Sequence, residues 1–249
     1  MKTAAICSAI REGKSINQIS KELDVYKSTI YYHYKKIKGR KLKPIEFRTI
    51  PADEIGEIIG AFAGDGNFYK DKAYHYTVQF LFGYCSEEYA RRFEQLLINS
   101  FGKKPLRCRA GAGEFALRYR SKRLYLWIRE RLDWDGKKTH SVCLRDLNAH
   151  DKQFLIGFLR GLLDTDGHAV RKYRQIRFNT VSQTLANQIS EILDILSISN
   201  RLSAYSQLGK AKIYEIRVNR TDAVILSQLL KPRNPGKIKE WSSSPIVAP

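Results

Sequence analysis

The chain of 249 residues is long enough for one large domain or two modest ones, and a hydrophobic share of 43% argues against wholesale disorder. Forty-four Lys and Arg against 25 Asp and Glu leave a net charge of +19, a footprint that points to a polyanionic partner, with nucleic acid first. No apolar run is long enough to cross a bilayer, and Arg11 and Glu12 end the mildly apolar stretch 3–10 too early for a signal peptide. A cytoplasmic, nucleoid-associated location with no membrane partner is therefore expected.

Residues 1–45 read as a small all-α module and basic linker. Ala4 to Arg11 forms a first helix ended by Gly13. Ser15 caps a second, which carries Ile16, Ile19 and Leu23 on one face, and Lys27 to Ile37 supplies a third after a turn at 24–26. The run from Ile19 to Ile30 resembles the helix-turn-helix pattern of resolvases and many repressors, with small Ser20, apolar Val25 and Ile30, and Asp24 in place of the usual turn glycine. That pattern implies Tyr26, Lys27, Ser28, Thr29 and Tyr32 as base and phosphate contacts; a bundle used for protein contact is the alternative. Lys35, Lys36, Lys38, Arg40, Lys41 and Lys43 follow as a solvated linker or a track for a phosphate strand.

The rest of the chain repeats itself. Ile55-Gly56-Glu57-Ile58-Ile59-Gly60-Ala61-Phe62-Ala63-Gly64-Asp65-Gly66 aligns with Ile156-Gly157-Phe158-Leu159-Arg160-Gly161-Leu162-Leu163-Asp164-Thr165-Asp166-Gly167 at an offset of about 100 residues. The Ile, both inner glycines, the Asp and the last Gly coincide. Strands at 74–82 and 174–178 follow, then helices after Ser86 and Ser182, strands around Arg118 and Arg217, and the echoes Gly136-Lys137 and Gly236-Lys237. The expected fold is α+β: two αββαββα halves, 46–146 and 147–249, each with an antiparallel sheet that is apolar on one face and polar on the other.

Glycines four apart, Gly56 with Gly60 and Gly157 with Gly161, strip one stripe of each motif helix at a cost of about 1 kcal/mol per glycine. Their sensible use is backbone-to-backbone packing of the two helices, which would bring Asp65 and Asp166 together at one end. Two crowded carboxylates at helix C-termini oppose both each other and the helix dipoles, and a hard cation such as Mg²⁺ relieves both. One Asp-Gly alone would read as a helix stop before a turn; two on duplicated glycine helices favour the metal site. Cys7, Cys85, Cys108 and Cys143 lack any C-x-x-C spacing, so neither a zinc site nor a disulfide framework is indicated.

Over roughly residues 50–240 the two segments resemble the paired motifs of single-chain LAGLIDADG homing endonucleases. The resemblance implies a DNA-binding saddle of antiparallel sheets, Mg²⁺ (with Mn²⁺ as a substitute) at Asp65 and Asp166 with their neighbours Gly64 and Thr165, and cleavage of one strand per half. It also implies a basic residue near each site, Lys137 or Lys138 and Lys237 or Lys239, while Ser86 and Ser182 read as helix caps. Base reading would fall to Gln79, Arg118, Gln175, Arg177, Asn179 and Arg217 on the outward strand faces, each able to touch phosphate instead. The leading expectation is a monomeric, site-specific endonuclease of double-stranded DNA. A transcription regulator on the same fold and a maturase acting on intron RNA are the alternatives.

Overall fold

The computed structural model describes residues 2–38, 44–71, 75–170, 173–206 and 211–238. Arg40, Lys41 and Lys43 of the basic linker, Tyr74 and Lys239 lie outside the described residues. The chain divides into two compact units, 1–44 and 45–249.

The first unit holds helices α1 (Lys2–Arg11), α2 (Ile16–Leu23) and α3 (Lys27–Lys38). Ile6, Ile10, Ile19 and Ile30 meet in its core, with Leu23, Val25 and Ile37 around them. The Ser15 hydroxyl accepts from Gln18 N while the Gln18 side chain accepts from Ser15 N, a reciprocal cap that fixes where α2 starts. Asp24 takes the left-handed conformation at φ 47°, so an Asp does here what glycine usually does. The Ser20 hydroxyl donates to Val25 O across the turn at 2.8 Å. Tyr26, Lys27, Ser28, Thr29 and Tyr32 are all exposed, with Lys36 Nζ 4.5 Å from the Tyr32 ring centre.

In the second unit the elements run α4 (Ala52–Ala63), β1 (Gly66–Lys70), β2 (Tyr76–Gly83), α5 (Glu87–Phe101), β3 (Leu106–Gly111), β4 (Glu114–Arg120) and α6 (Lys122–Arg129). A bridge follows, made of β5 (Leu132–Asp133), the short α7 (Lys138–Ser141) and β6 (Cys143–Leu144). The second half runs α8 (Lys152–Thr165), β7 (His168–Val170), β8 (Gln175–Thr180), α9 (Gln183–Ile195), β9 (Arg201–Tyr205), β10 (Ile213–Asn219), α10 (Arg220–Leu230) and α11 (Pro235–Ile238). Both four-stranded sheets are antiparallel and equivalent in order, β1-β2-β4-β3 and β7-β8-β10-β9.

Period-two alternation divides each sheet. Val78, Phe80, Phe82, Phe115, Leu117 and Tyr119 turn inward in the first, and Ile176, Phe178, Ile216 and Val218 in the second, all in one hydrophobic core with the helices. The other face carries Gln79 and Arg118 in one half and Gln175, Arg177, Asn179 and Arg217 in the other. Register defines the equivalent positions. Asn67 pairs with Gln79 and His168 with Arg177, two residues beyond Asp65 and Asp166 respectively. Gln79 faces Arg118 as Arg177 faces Arg217. The offset seen between the motif helices thus shrinks beyond the β7–β8 turn, which is shorter than its β1–β2 counterpart.

Candidate active site

The site begins with the seam between α4 and α8. A Cβ added at Gly56, Gly60, Gly157 or Gly161 would come within 3.0 Å of backbone oxygen in the facing helix: Phe154, Phe158, Asp53 and Glu57 respectively. Each missing side chain is therefore replaced by the partner's main chain. Asp151 starts α8 by accepting from Phe154 N at 2.7 Å, and Asp53 and Glu54 suit the positive start of α4.

The two helix ends meet. A Cβ on Gly64 would lie 3.2 Å from Asp166 Oδ2 and closer still to the Thr165 hydroxyl. Burial, the Asp166 charge and a hydrogen bond shared with Asp166 together push the Asp65 carboxyl up to about 7. Asp65 is half-buried while Asp166 is exposed, so one carboxylate of the pair faces solvent and the other backs onto protein. Two neighbouring carboxylates with open space on one side are the donor set Mg²⁺ takes when water and substrate phosphate complete its shell. The residues fit such a cation.

Lysines hold both motif ends. Lys138 Nζ donates to the carbonyls of Phe62, Ala63 and Gly64, each at 2.8 Å, closing α4 with a cation where the helix dipole is negative. Burial lowers its ammonium to about 8, against the opposing pull of Asp166 and Asp65. Lys237 Nζ donates to Gly167 O at the second end. Lys137 is exposed and starts α7. The Gly-Lys echo is therefore out of step by one residue. Gly136 turns before α7, whereas Gly236 lies inside α11, so the lysine that reaches inward follows its glycine at different distances.

Thr165 donates its hydroxyl back to Gly161 O at 2.9 Å and to Leu162 O at 3.2 Å, so both described bonds of that side chain serve the helix end. Ser182 caps α9 through Leu185 N and donates to Val142 O at 2.8 Å. Ser86, expected as a cap, makes no side-chain cap bond, because the chain enters α5 through a single 3₁₀ turn at 84–86. A cavity of about 320 Å³ opens beside Asp166, lined by Gly64, Thr139, His168, Asn179 and Thr180 among others.

A buried ionic cluster went unnoticed in the sequence. Glu57, fully buried in α4, accepts from Arg160 of α8 at 3.2 Å and is gripped by Arg92 of α5 through both terminal guanidinium nitrogens, Nη1 and Nη2. Arg160 also bonds Asp53 at 3.0 Å and Leu230 O at 2.6 Å. The signal was present as one Glu and one Arg at motif positions otherwise filled by apolar residues. Asp164, where the first motif has Ala63, accepts the backbone N–H groups of Arg233 and Asn234 and so ties down the chain after α10.

Residues 153–230 match the LAGLIDADG-like domain. Among solved structures, the homing endonuclease I-DmoI in complex with DNA and Ca is 18% identical, with 76% of this chain and 96% of that one covered at a TM-score of 0.60. I-DmoI with DNA and Mn is 17% identical, covering 72% and 96%, at 0.57. Full-length DUF199/WhiA from Thermatoga maritima is 12% identical, covering 74% and 57%, at 0.50. A glutamine–fructose-6-phosphate aminotransferase of Methanocaldococcus jannaschii is 23% identical over 214 residues, which are 86% of this chain and 18% of that protein's length. The fold of the second unit is that of I-DmoI. Among the described residues no helix is long and apolar enough to cross a membrane.

Proposed function

We propose that the protein is a site-specific endonuclease that binds double-stranded DNA across its two sheets and hydrolyses one phosphodiester in each strand. The observation that carries this reading is the pairing of Asp65 with Asp166 at the foot of a glycine seam, between two polar sheet faces in a chain of net charge +19. Asp65 and Asp166 would hold Mg²⁺, with Mn²⁺ as a substitute, and the backbone at Gly64 and Thr165 lies beside them. When bound, such a cation lowers the pKa of water and stabilises the departing 3′ oxygen. The protein's own part is to fix both carboxylates, to keep the motif ends closed through Lys138 and Lys237, and to present the outward strands to the major groove. Tyr26, Lys27, Ser28, Thr29 and Tyr32 of the first unit extend the footprint along the duplex. The domain boundaries that serve this reading are 1–45, 46–146 and 147–249, and the acting species is a monomer.

The test uses a randomised duplex library, with bound DNA recovered in Ca²⁺ and the recovered pool then incubated in Mg²⁺. Cut ends at one sequence support the reading. Asp65→Asn and Asp166→Asn should each abolish double-strand cleavage while keeping binding. Full binding without cleavage by the unaltered protein would instead support a DNA-binding regulator on this fold, a reading favoured by the helix-turn-helix unit in the same chain. Splicing of a cognate intron transcript with no DNA cut would support the maturase reading.

A further inference from the structure

Three arginines on the outward sheet faces are held in the same way. The Gln79 amide is oriented by its surroundings, its oxygen accepting from Arg118 Nε and Nη2 at 2.6 Å each. Gln175 Oε1 accepts from Arg177 Nε at 3.1 Å and Nη2 at 2.6 Å. Glu215 Oε1 accepts from Arg217 Nε at 3.1 Å and also from Nη2. In every case one side-chain oxygen grips the Nε–Nη2 edge of a guanidinium. A guanidinium has five N–H groups, and gripping that edge leaves the Nη1–Nη2 end, whose two parallel donors match O6 and N7 of guanine in the major groove. Among the described residues nothing hydrogen-bonds that end, and Arg177 Nη1 only approaches Glu215 Oε2 at 3.6 Å.

Glu215 adds a second reason. Arg177 and Arg217 are directly opposite on antiparallel strands, where like charges repel. The Glu215 carboxylate lies between them with only 8% of its side chain exposed, whereas the two arginines keep 27% and 37%. Glu215 is too deep to reach a base, but it allows two guanidiniums to stand side by side.

Building on the DNA-binding reading above, we infer that Arg118, Arg177 and Arg217 read guanines, and that Gln79, Gln175 and Glu215 are positioning residues that aim them rather than readers of adenine or cytosine. The target then carries one guanine under the first sheet and two under the second, so the two half-sites differ in base composition. Free arginines would have to lose several rotatable bonds on contact. Arginines already clamped have lost them before the DNA arrives.

The deciding measurement is the base preference at each position, obtained by selecting the full chain and its variants on a randomised duplex library in Ca²⁺. The unaltered protein should enrich guanine at three positions. Arg118→Ala, Arg177→Ala and Arg217→Ala should each flatten one of them about tenfold or more. Arg177→Lys, which keeps the charge and loses the fork, should flatten the same guanine while keeping most of the affinity. Gln175→Ala and Glu215→Ala should broaden the preference under their own arginine. Gln175→Glu, which keeps an oxygen in place, should restore it, and Glu215→Gln, which keeps the oxygen but loses the charge between the two guanidiniums, should restore it only in part. The inference is overturned if the glutamine variants erase an adenine preference, or if the arginine variants weaken all sequences equally, as phosphate contacts would. Enrichment of no sequence at all by the unaltered chain would sink the proposed function, and this inference with it.

Discussion

The two halves of the second unit share a seam but not a surface. Along α4 and α8 each half contributes two glycines whose missing side chains are replaced by the other helix's main chain. Away from the seam they diverge. The first half fills its share of the common core with aromatic rings, Phe80, Phe82, Tyr89, Phe93 and Phe115, while the second fills its share with Leu185, Ile189, Ile192, Leu193 and Ile216. At matching outward positions, Gln79 and Arg118 stand against Arg177 and Arg217. The motif ends are closed by Lys138 on three carbonyls in one half, and by Lys237 with a buried Asp164 in the other. Backbone-to-backbone packing tolerates no added atom, so both halves meet the same demand there. A side-chain core or an outward face can be filled in many ways, and each half has its own.

Substitutions can test that contrast. The largest effect is expected at the seam. Gly157→Ala places a methyl group inside 3.0 Å of the Asp53 carbonyl and should destabilise the unit by about 3 kcal/mol or more. Urea denaturation followed by circular dichroism measures this, and Gly56→Ala should act alike from the opposite helix. Unchanged stability at either position would show that the seam is looser than the geometry requires.

Next comes the asymmetric ion cluster, which joins the halves without being duplicated. Glu57→Gln leaves Arg160 and Arg92 facing a neutral amide in a buried site, for a loss of about 3–5 kcal/mol. The same change at exposed Glu114 should stay within about 0.5 kcal/mol. Lys138→Met is expected to cost about 1–3 kcal/mol, because the carbonyls of Phe62, Ala63 and Gly64 lose a shared donor. Lys237→Met should shift stability in the same direction at the second end.

A pH dependence follows from the paired carboxylates. The Asp65 carboxyl rises from an ordinary 3.8 to about 7, so within that window the folded protein keeps a proton that the unfolded chain has released. Its contribution to stability is complete at the acid end and is lost as pH rises through about 7. Asp65→Asn should flatten that part of the profile and raise the melting temperature of the metal-free protein at pH 8, by about 2–4 °C per kcal/mol of repulsion relieved. A lower melting temperature would mean that the charged pair is not crowded in the absence of cation.

The duplicated helix, the glycine spacing and the Asp-Gly ends were legible in the sequence because they are local and because they occur twice. The order of elements followed from hydrophobic period and caps, and the fold class with it. What escaped was whatever depends on a partner far along the chain. The Glu57–Arg160–Arg92 cluster joins residues 35 and 103 positions apart, and no periodicity marks such a pairing. The choice of Lys138 over Lys137 turned on how a glycine loop meets a short helix. Alternation alone places Gln79 and Gln175 outward and puts Arg177 two residues from Gln175 on one strand, but only the sheet register brings Arg118 within reach of Gln79. Sequence by itself determined which residues share a face and which segments repeat, since backbone geometry imposes those periods directly. Tertiary structure decided which charges meet, because electrostatic partners are chosen by distance in space and not by distance along the chain.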